Sequence, residues 1–177
     1  MTLEVTVAPT LLLTSTNRNA TVGTPFSYTP TVAGGKSGYS YSLTGTLPAG
    51  LTFDATDGKV SGTPTANETK SITIDVTDAL GTSASTNYSI TVGKMSQTIS
   101  VSNSAATFGT NSTLSASGYT GSGEITFDWV SGPCSITAPA TLVSTGAGSC
   151  VVTATIAADA TRLAATSAQK TITIGRA

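Results

Sequence analysis

Cys134 and Cys150 are the only cysteines in the 177 residues, and both lie beside β-branched residues of the kind that fill strands. Two outcomes are open: a disulfide, or a pair of buried free thiols. The strand setting of both residues favours the bridge, which in the chain-entropy picture would stabilise its module by about 3 kcal/mol for a loop of about 15 residues. A zinc site needs more ligands than two thiols, and the chain has no His. Without His the usual general base is missing, so neither a Ser/His/Asp nor a Cys/His constellation can be assembled. The sequence therefore predicts no enzyme and no cofactor.

The remaining reactive groups are carboxylates and aromatic rings. Asp54 with Asp57, and Asp75 with Asp78, are the acid pairs closest in sequence. Glycoside hydrolysis would need such acids to face each other across a cleft, whereas Asp in turns normally accepts nearby backbone N–H groups. The same four residues are the calcium candidates, because calcium collects several carboxylate and carbonyl oxygens. No calcium-loop pattern surrounds them, and turn capping is the expected role. Tyr39 and Tyr41 could contact a glycan if they formed an exposed row. Their alternate spacing instead places both on one strand face, where they would help fill a core poor in Phe and Trp. Trp129 is expected to pack near the cysteine pair.

The elements that must carry these residues read as strands. Ser and Thr make up about a third of the chain, and no helical apolar stripe forms. Runs of period two recur instead: Phe26 to Val32, Tyr39 to Leu43, Ser71 to Val76, Asn87 to Val92, Gln97 to Val101, Glu124 to Trp129, Cys150 to Ile156 and Thr171 to Ile174. One face of each can meet a core while Ser and Thr face water. Turn residues such as Gly34-Gly35, Asp57-Gly58 and Gly62-Thr63-Pro64 separate the runs. The expected fold is all-β, two tandem immunoglobulin-like β-sandwiches with a short linker, over residues 1–93 and 94–177. Residues Met1 to Val7 alternate like a strand and carry Glu4 where an export signal would carry Lys or Arg. We expect an extra strand or an attachment arm over residues 1 to 20, and no signal peptide.

From about 20 to 93 the order of motifs is more specific than alternation. Gly23-Thr24-Pro25-Phe26, Leu47-Pro48-Ala49-Gly50-Leu51, Lys59-Val60-Ser61-Gly62-Thr63-Pro64 and Ile74-Asp75-Val76-Thr77-Asp78 follow one another. In this the segment resembles the He-PIG family of immunoglobulin-like domains, with Asn67-Glu68-Thr69 standing where that family usually has Gly and an aromatic residue. From about 96 to 175 the chain is similar to bacterial Ig-like repeats with a cysteine pair, through Gln97-Thr98-Ile99, Thr107-Phe108-Gly109, Cys134 and Gly148-Ser149-Cys150. The resemblances imply sandwiches without catalysis, found as repeats in surface proteins, secreted enzymes and some phage virions.

A formal net charge of −1 with 10% charged residues provides no basic stripe for phosphates, so nucleic acid is not expected as a partner. No apolar run approaches the length of a spanning helix, and membrane insertion is not expected. The leading functional expectation is a structural or display component of a phage virion, a capsid decoration or tail-associated protein with capsid or tail partners and weak host-glycan contact. The alternatives are a piece of a bacterial surface adhesin or of the spacer region of a secreted enzyme, and a carbohydrate-binding accessory module. All place the chain on a virion surface or outside the cell, with self-association through exposed edge strands as a further expectation.

Overall fold

The computed structural model describes residues 9–176. Of the extra strand or arm expected over residues 1 to 20, only residues 1–8 lie outside them, and residues 12–14 and 18–21 are strands of the first unit. The chain divides into two compact units, one ending at Lys94 and the other beginning at Met95. Among the described residues there are strands and turns and no helix.

The first unit contains β1 (Leu12–Thr14), β2 (Arg18–Thr21), β3 (Phe26–Tyr28), β4 (Thr31–Ala33), β5 (Ser40–Gly45), β6 (Leu51–Asp54), β7 (Lys59–Gly62), β8 (Thr69–Thr77) and β9 (Ser83–Gly93). Four of them form a sheet in the order β2-β9-β8-β5, three form a second in the order β3-β7-β6, and β1 pairs with β4. The alternation of β8 and β9 turns Ile72, Ile74, Val76, Tyr88, Ile90 and Val92 inward, against Leu51 and Val60 of the opposite sheet. All eight are buried, and removing that apolar surface from water is the main force holding the layers together.

The second unit contains β10 (Ser100–Val101), β11 (Ala105–Thr107), β12 (Ser112–Thr113), β13 (Ala116–Ser117), β14 (Ile125–Ser131), β15 (Cys134–Thr137), β16 (Thr141–Ser144), β17 (Gly148–Ile156), β18 (Ala165–Thr166) and β19 (Lys170–Gly175). Its sheets run β11-β19-β17-β14, with β18 also on β17, and β12-β16-β15, while β10 pairs with β13. Apart from β18, this is the topology of the first unit strand for strand. In both, the opening strand pairs antiparallel in one place and its continuation crosses to run parallel to the last strand, β2 on β9 and β11 on β19. The turns that follow match bond for bond: Thr24 N–H donates to Thr21 O at 3.1 Å and Thr110 N–H to Thr107 O at 3.2 Å.

The run expected from Phe26 to Val32 is broken into β3 and β4 at Pro30. Proline has no N–H for a ladder, so the chain leaves β7 there and pairs with β1. The second unit breaks the corresponding strand into β12 and β13 at Leu114 and Ser115.

The two family motifs of the first unit meet each other. Thr63 N–H donates to Gly50 O at 3.1 Å and Thr65 N–H to Ala49 O at 2.9 Å. Gly50 has φ +88°, and a Cβ there would run into the Thr63 carbonyl, so only glycine suits the position. Asn67 and Glu68 close the next hairpin, with Asn67 Nδ2 donating to Val92 O at 2.6 Å and Ala49 N–H donating to Glu68 Oε1 at 2.8 Å.

Candidate functional site

Cys134 on β15 and Cys150 on β17 form a disulfide with 5.9 Å between their Cα atoms. The two strands belong to different sheets, so the bond ties the layers of the second unit together, and both residues are buried in its core. By strand register the matching positions in the first unit are Ala49 and Lys70. There the link is polar: Glu68 accepts the Ala49 N–H and pairs with Lys70 Nζ at 3.1 Å. One scaffold thus closes the same corner covalently in one unit and by a half-exposed ion pair in the other.

Three of the four acids sit in turns or at a strand end, and Asp75 departs from the expected turn role. Asp54 Oδ1 accepts the Thr56 hydroxyl at 2.6 Å and the Thr56 N–H at 2.9 Å, which hold its carboxyl below the ordinary range. Asp57 Oδ1 accepts the Lys59 N–H at 2.9 Å. Asp75 lies within β8, between Ser42 and Ser85 on the flanking strands. Asp78 is buried and accepts three backbone amides, Lys36 at 3.0 Å and Leu80 and Thr82 at 2.9 Å each. The Lys36 amide contributes most to holding its carboxyl below the usual value, against the opposing effect of burial. Among the described residues no three potential ligands converge on a metal position.

Asp159, which sequence reasoning passed over, does for the second unit what Asp78 does for the first. Its carboxylate accepts the Ser122, Thr161 and Arg162 amides, each at 2.8 Å. These bonds, Ser122 first, push its carboxyl far below the ordinary range. In both units the aspartate that follows the penultimate long strand caps its own turn and pins the loop ahead of β5 or β14. The available signal was a lone Asp two residues before Thr161, just after an apolar run.

Tyr39 and Tyr41 are half-buried and pack against the first core. Tyr39 donates its hydroxyl to Gly34 O at 2.7 Å, and burial raises the Tyr41 hydroxyl above its ordinary value. Trp129 departs from expectation. It is 52% exposed, because the register of β14 shifts after it and its Nε1–H donates to Gly132 O in the next turn at 3.2 Å.

The most concentrated polar and aromatic group lies elsewhere, where the first unit's chain crosses between sheets from β1 to β2. Arg18 Cζ sits 4.0 Å from the centre of the Tyr28 ring. Tyr28 meets Tyr88 edge to face at 5.2 Å with 74° between the planes. Burial, then the neighbouring Tyr28, push the Tyr88 hydroxyl up to about 12. Around this group the crossover is fastened to β9 by side chains: Asn17 Oδ1 accepts the Ser89 N–H at 2.9 Å, and Ser15 Oγ bonds Thr86 Oγ1 at 2.8 Å. The sequence signal was the alternation Arg18, Ala20, Val22, which puts a cation on the inward face.

Residues 8–93 match the sequence profile of the He_PIG family, described as "Putative Ig domain". This segment is a He_PIG domain. Beyond the He_PIG match, the chain is 39% identical over 103 residues to the "Serine-rich adhesin for platelets" of Staphylococcus aureus (strain MRSA252), covering 58% of this chain and 8% of the adhesin. A further "Serine-rich adhesin for platelets" of Staphylococcus aureus is 48% identical over 61 residues, 34% of this chain and 3% of that protein. The chain thus spans less than a tenth of the relatives it matches. Among solved structures, Drosophila N-cadherin EC1-4 aligns with a TM-score of 0.43 and 12% identity over 91% of this chain and 48% of the cadherin. A Bacteroides fragilis protein described as a putative alpha-galactosidase aligns with a TM-score of 0.41 and 22% identity over 51% of this chain and 20% of that one. Neither structural likeness bears on function.

Proposed function

We propose that the chain is a non-catalytic part of a bacterial surface adhesin, in which He_PIG and related sandwich units build the extracellular portion of the protein. The observation that carries this reading is the 39% identity over 103 residues to a staphylococcal adhesin. It favours the adhesin over the virion component that the sequence alone put first, and capsid and tail partners are dropped from the account. The chemistry of the chain agrees with a non-enzymatic role. It contains no His, its turn acids Asp54, Asp57 and Asp78 are engaged with backbone amides, and its cysteines are joined. A disulfide between the sheets also suits an oxidising exterior better than a reducing cytosol.

Antibodies raised against the purified chain test the proposal on intact, unpermeabilised cells of the source organism. Surface labelling that is lost on brief external proteolysis is expected. Labelling confined to permeabilised cells, or to released phage particles, would overturn it.

A further inference from the structure

Arg18 is placed unlike an ordinary surface cation. Its guanidinium is stacked on Tyr28, its Nε is buried without a hydrogen-bond partner, and so is the hydroxyl of Tyr88. Among the described residues no carboxylate pairs with it. Arg18 and Tyr28 form one wall of a pocket of about 140 Å³ lined also by Thr14, Ser15, Thr16 and Thr31. Every other lining residue carries a hydroxyl, and none is an exposed aliphatic side chain.

The second unit acts as an internal control. Its matching turn bonds, Val22 N–H to Gly93 O and Phe108 N–H to Gly175 O, align Arg18 with Ser104, Tyr28 with Leu114 and Tyr88 with Lys170. Leu114 is buried there, and the same crossover is closed without an arginine or an aromatic ring. The scaffold therefore does not need Arg18, Tyr28 and Tyr88 in order to fold. Leaving two polar atoms buried and unpaired costs stability that an apolar closure would keep.

We infer that this pocket binds the carboxylate of an acidic sugar, with Arg18 as its pairing cation. A guanidinium stacked on a ring by one face can still turn its two terminal nitrogens to a ligand, and that end fits a carboxylate with two parallel bonds while the buried Nε stays out of the contact. The stack on Tyr28, backed by Tyr88 and by the Thr16 N–H donating to Tyr28 Oη at 3.3 Å, fixes the guanidinium before any ligand arrives. The exposed hydroxyls of Thr14 and Thr31 offer donors and acceptors to ring hydroxyls beside the carboxylate. An acidic peptide would gain the ion pair but find no apolar wall for its neighbouring side chains. The inference rests on the first unit's geometry and not on where the parent protein is displayed.

The test is a titration of the full chain, followed by amide chemical shifts, with sodium glucuronate, with glucose and with a short Glu-rich peptide in separate arms. Glucuronate should produce saturable shifts centred on Thr14 to Arg18, Tyr28 and Thr31, and glucose should not. R18Q should weaken glucuronate binding about tenfold or more, the scale expected when a charged hydrogen bond is lost, while R18K retains part of it. No saturable shift with glucuronate, equal shifts with glucose, or shifts with the peptide alone would each overturn the inference. The wild-type arms decide the matter even if R18Q folds poorly.

Discussion

Reducing the Cys134–Cys150 bond should lower the stability of the second unit and leave the first unchanged. The bond closes a separation of 16 residues, for which the loop-entropy relation gives about 3 kcal/mol. In a domain of this size each kcal/mol moves the melting temperature by roughly 4–8 °C, so a fall on the order of 15 °C is expected. The chain reports the two units separately. Its single Trp is Trp129 on β14, while four of its five Tyr, Tyr28, Tyr39, Tyr41 and Tyr88, pack in the first unit and the fifth, Tyr119 in the second, is exposed and adds little to the near-ultraviolet signal. Thermal melts followed by Trp fluorescence and by near-ultraviolet Tyr dichroism, with and without reductant, give both transitions. Mass spectrometry after alkylation verifies that both thiols were freed. A Trp transition that stays in place after complete reduction would refute the entropic argument, and a Tyr transition that falls with it would refute the independence of the two cores.

Other expectations follow from single contacts. Gly50→Ala should destabilise the first unit by about 1–3 kcal/mol, because φ is positive and the Thr63 carbonyl blocks a Cβ; a change within error by denaturant titration would contradict the close approach of the two motifs. Tyr88 is neutral in the fold up to about 12 but ionises near 10 when unfolded, so its contribution is intact below about 10 and is lost as pH rises through 12. That is a loss on the order of 2 kcal/mol, and Tyr88→Phe should reduce the alkaline decline, leaving the smaller part due to Tyr41, with neutral stability equal or higher; an identical alkaline profile in the variant would count against it. Asp159 works in the opposite direction. Its lowered carboxyl stabilises the second unit above the ordinary Asp range, and that stabilisation disappears as pH falls below about 4 toward the folded value. Asp159→Ala should lower the Trp-reported melt at neutral pH and flatten its acid dependence, and an unchanged acid limb would show that the three amides do not depend on the carboxylate.

The sequence made the long central strands legible because their cores are apolar on every second residue. Ser71 to Val76, Asn87 to Val92 and Cys150 to Ile156 all fall within observed strands. Composition hid the short ones. β1, β2, β10 and β11 span two to four residues each, too few for a period to register, and yet they build the crossover of each unit, the first of which holds Arg18. The break at Pro30 was visible as a residue and was passed over because the apolar alternation continues through it. Trp129 was misplaced by analogy with sandwiches in which the aromatic backs the disulfide, when a local register shift turns it outward. Asp78 was legible as a turn acid, but its long-range amide from Lys36, and the parallel role of Asp159, need the fold. The cysteine pair was readable from count and strand context, whereas its polar counterpart at Ala49, Glu68 and Lys70 emerges only once the two units are aligned by register.

The most direct test of the adhesin account is attachment itself. Source cells in which the coding region for this chain is deleted in frame from the parent gene should attach to host-cell layers less than wild type under flow, with surface expression of the rest of the protein verified. Purified chain added in solution should compete with wild-type attachment. Undiminished attachment of the deletion strain, together with no competition by the chain, would contradict it.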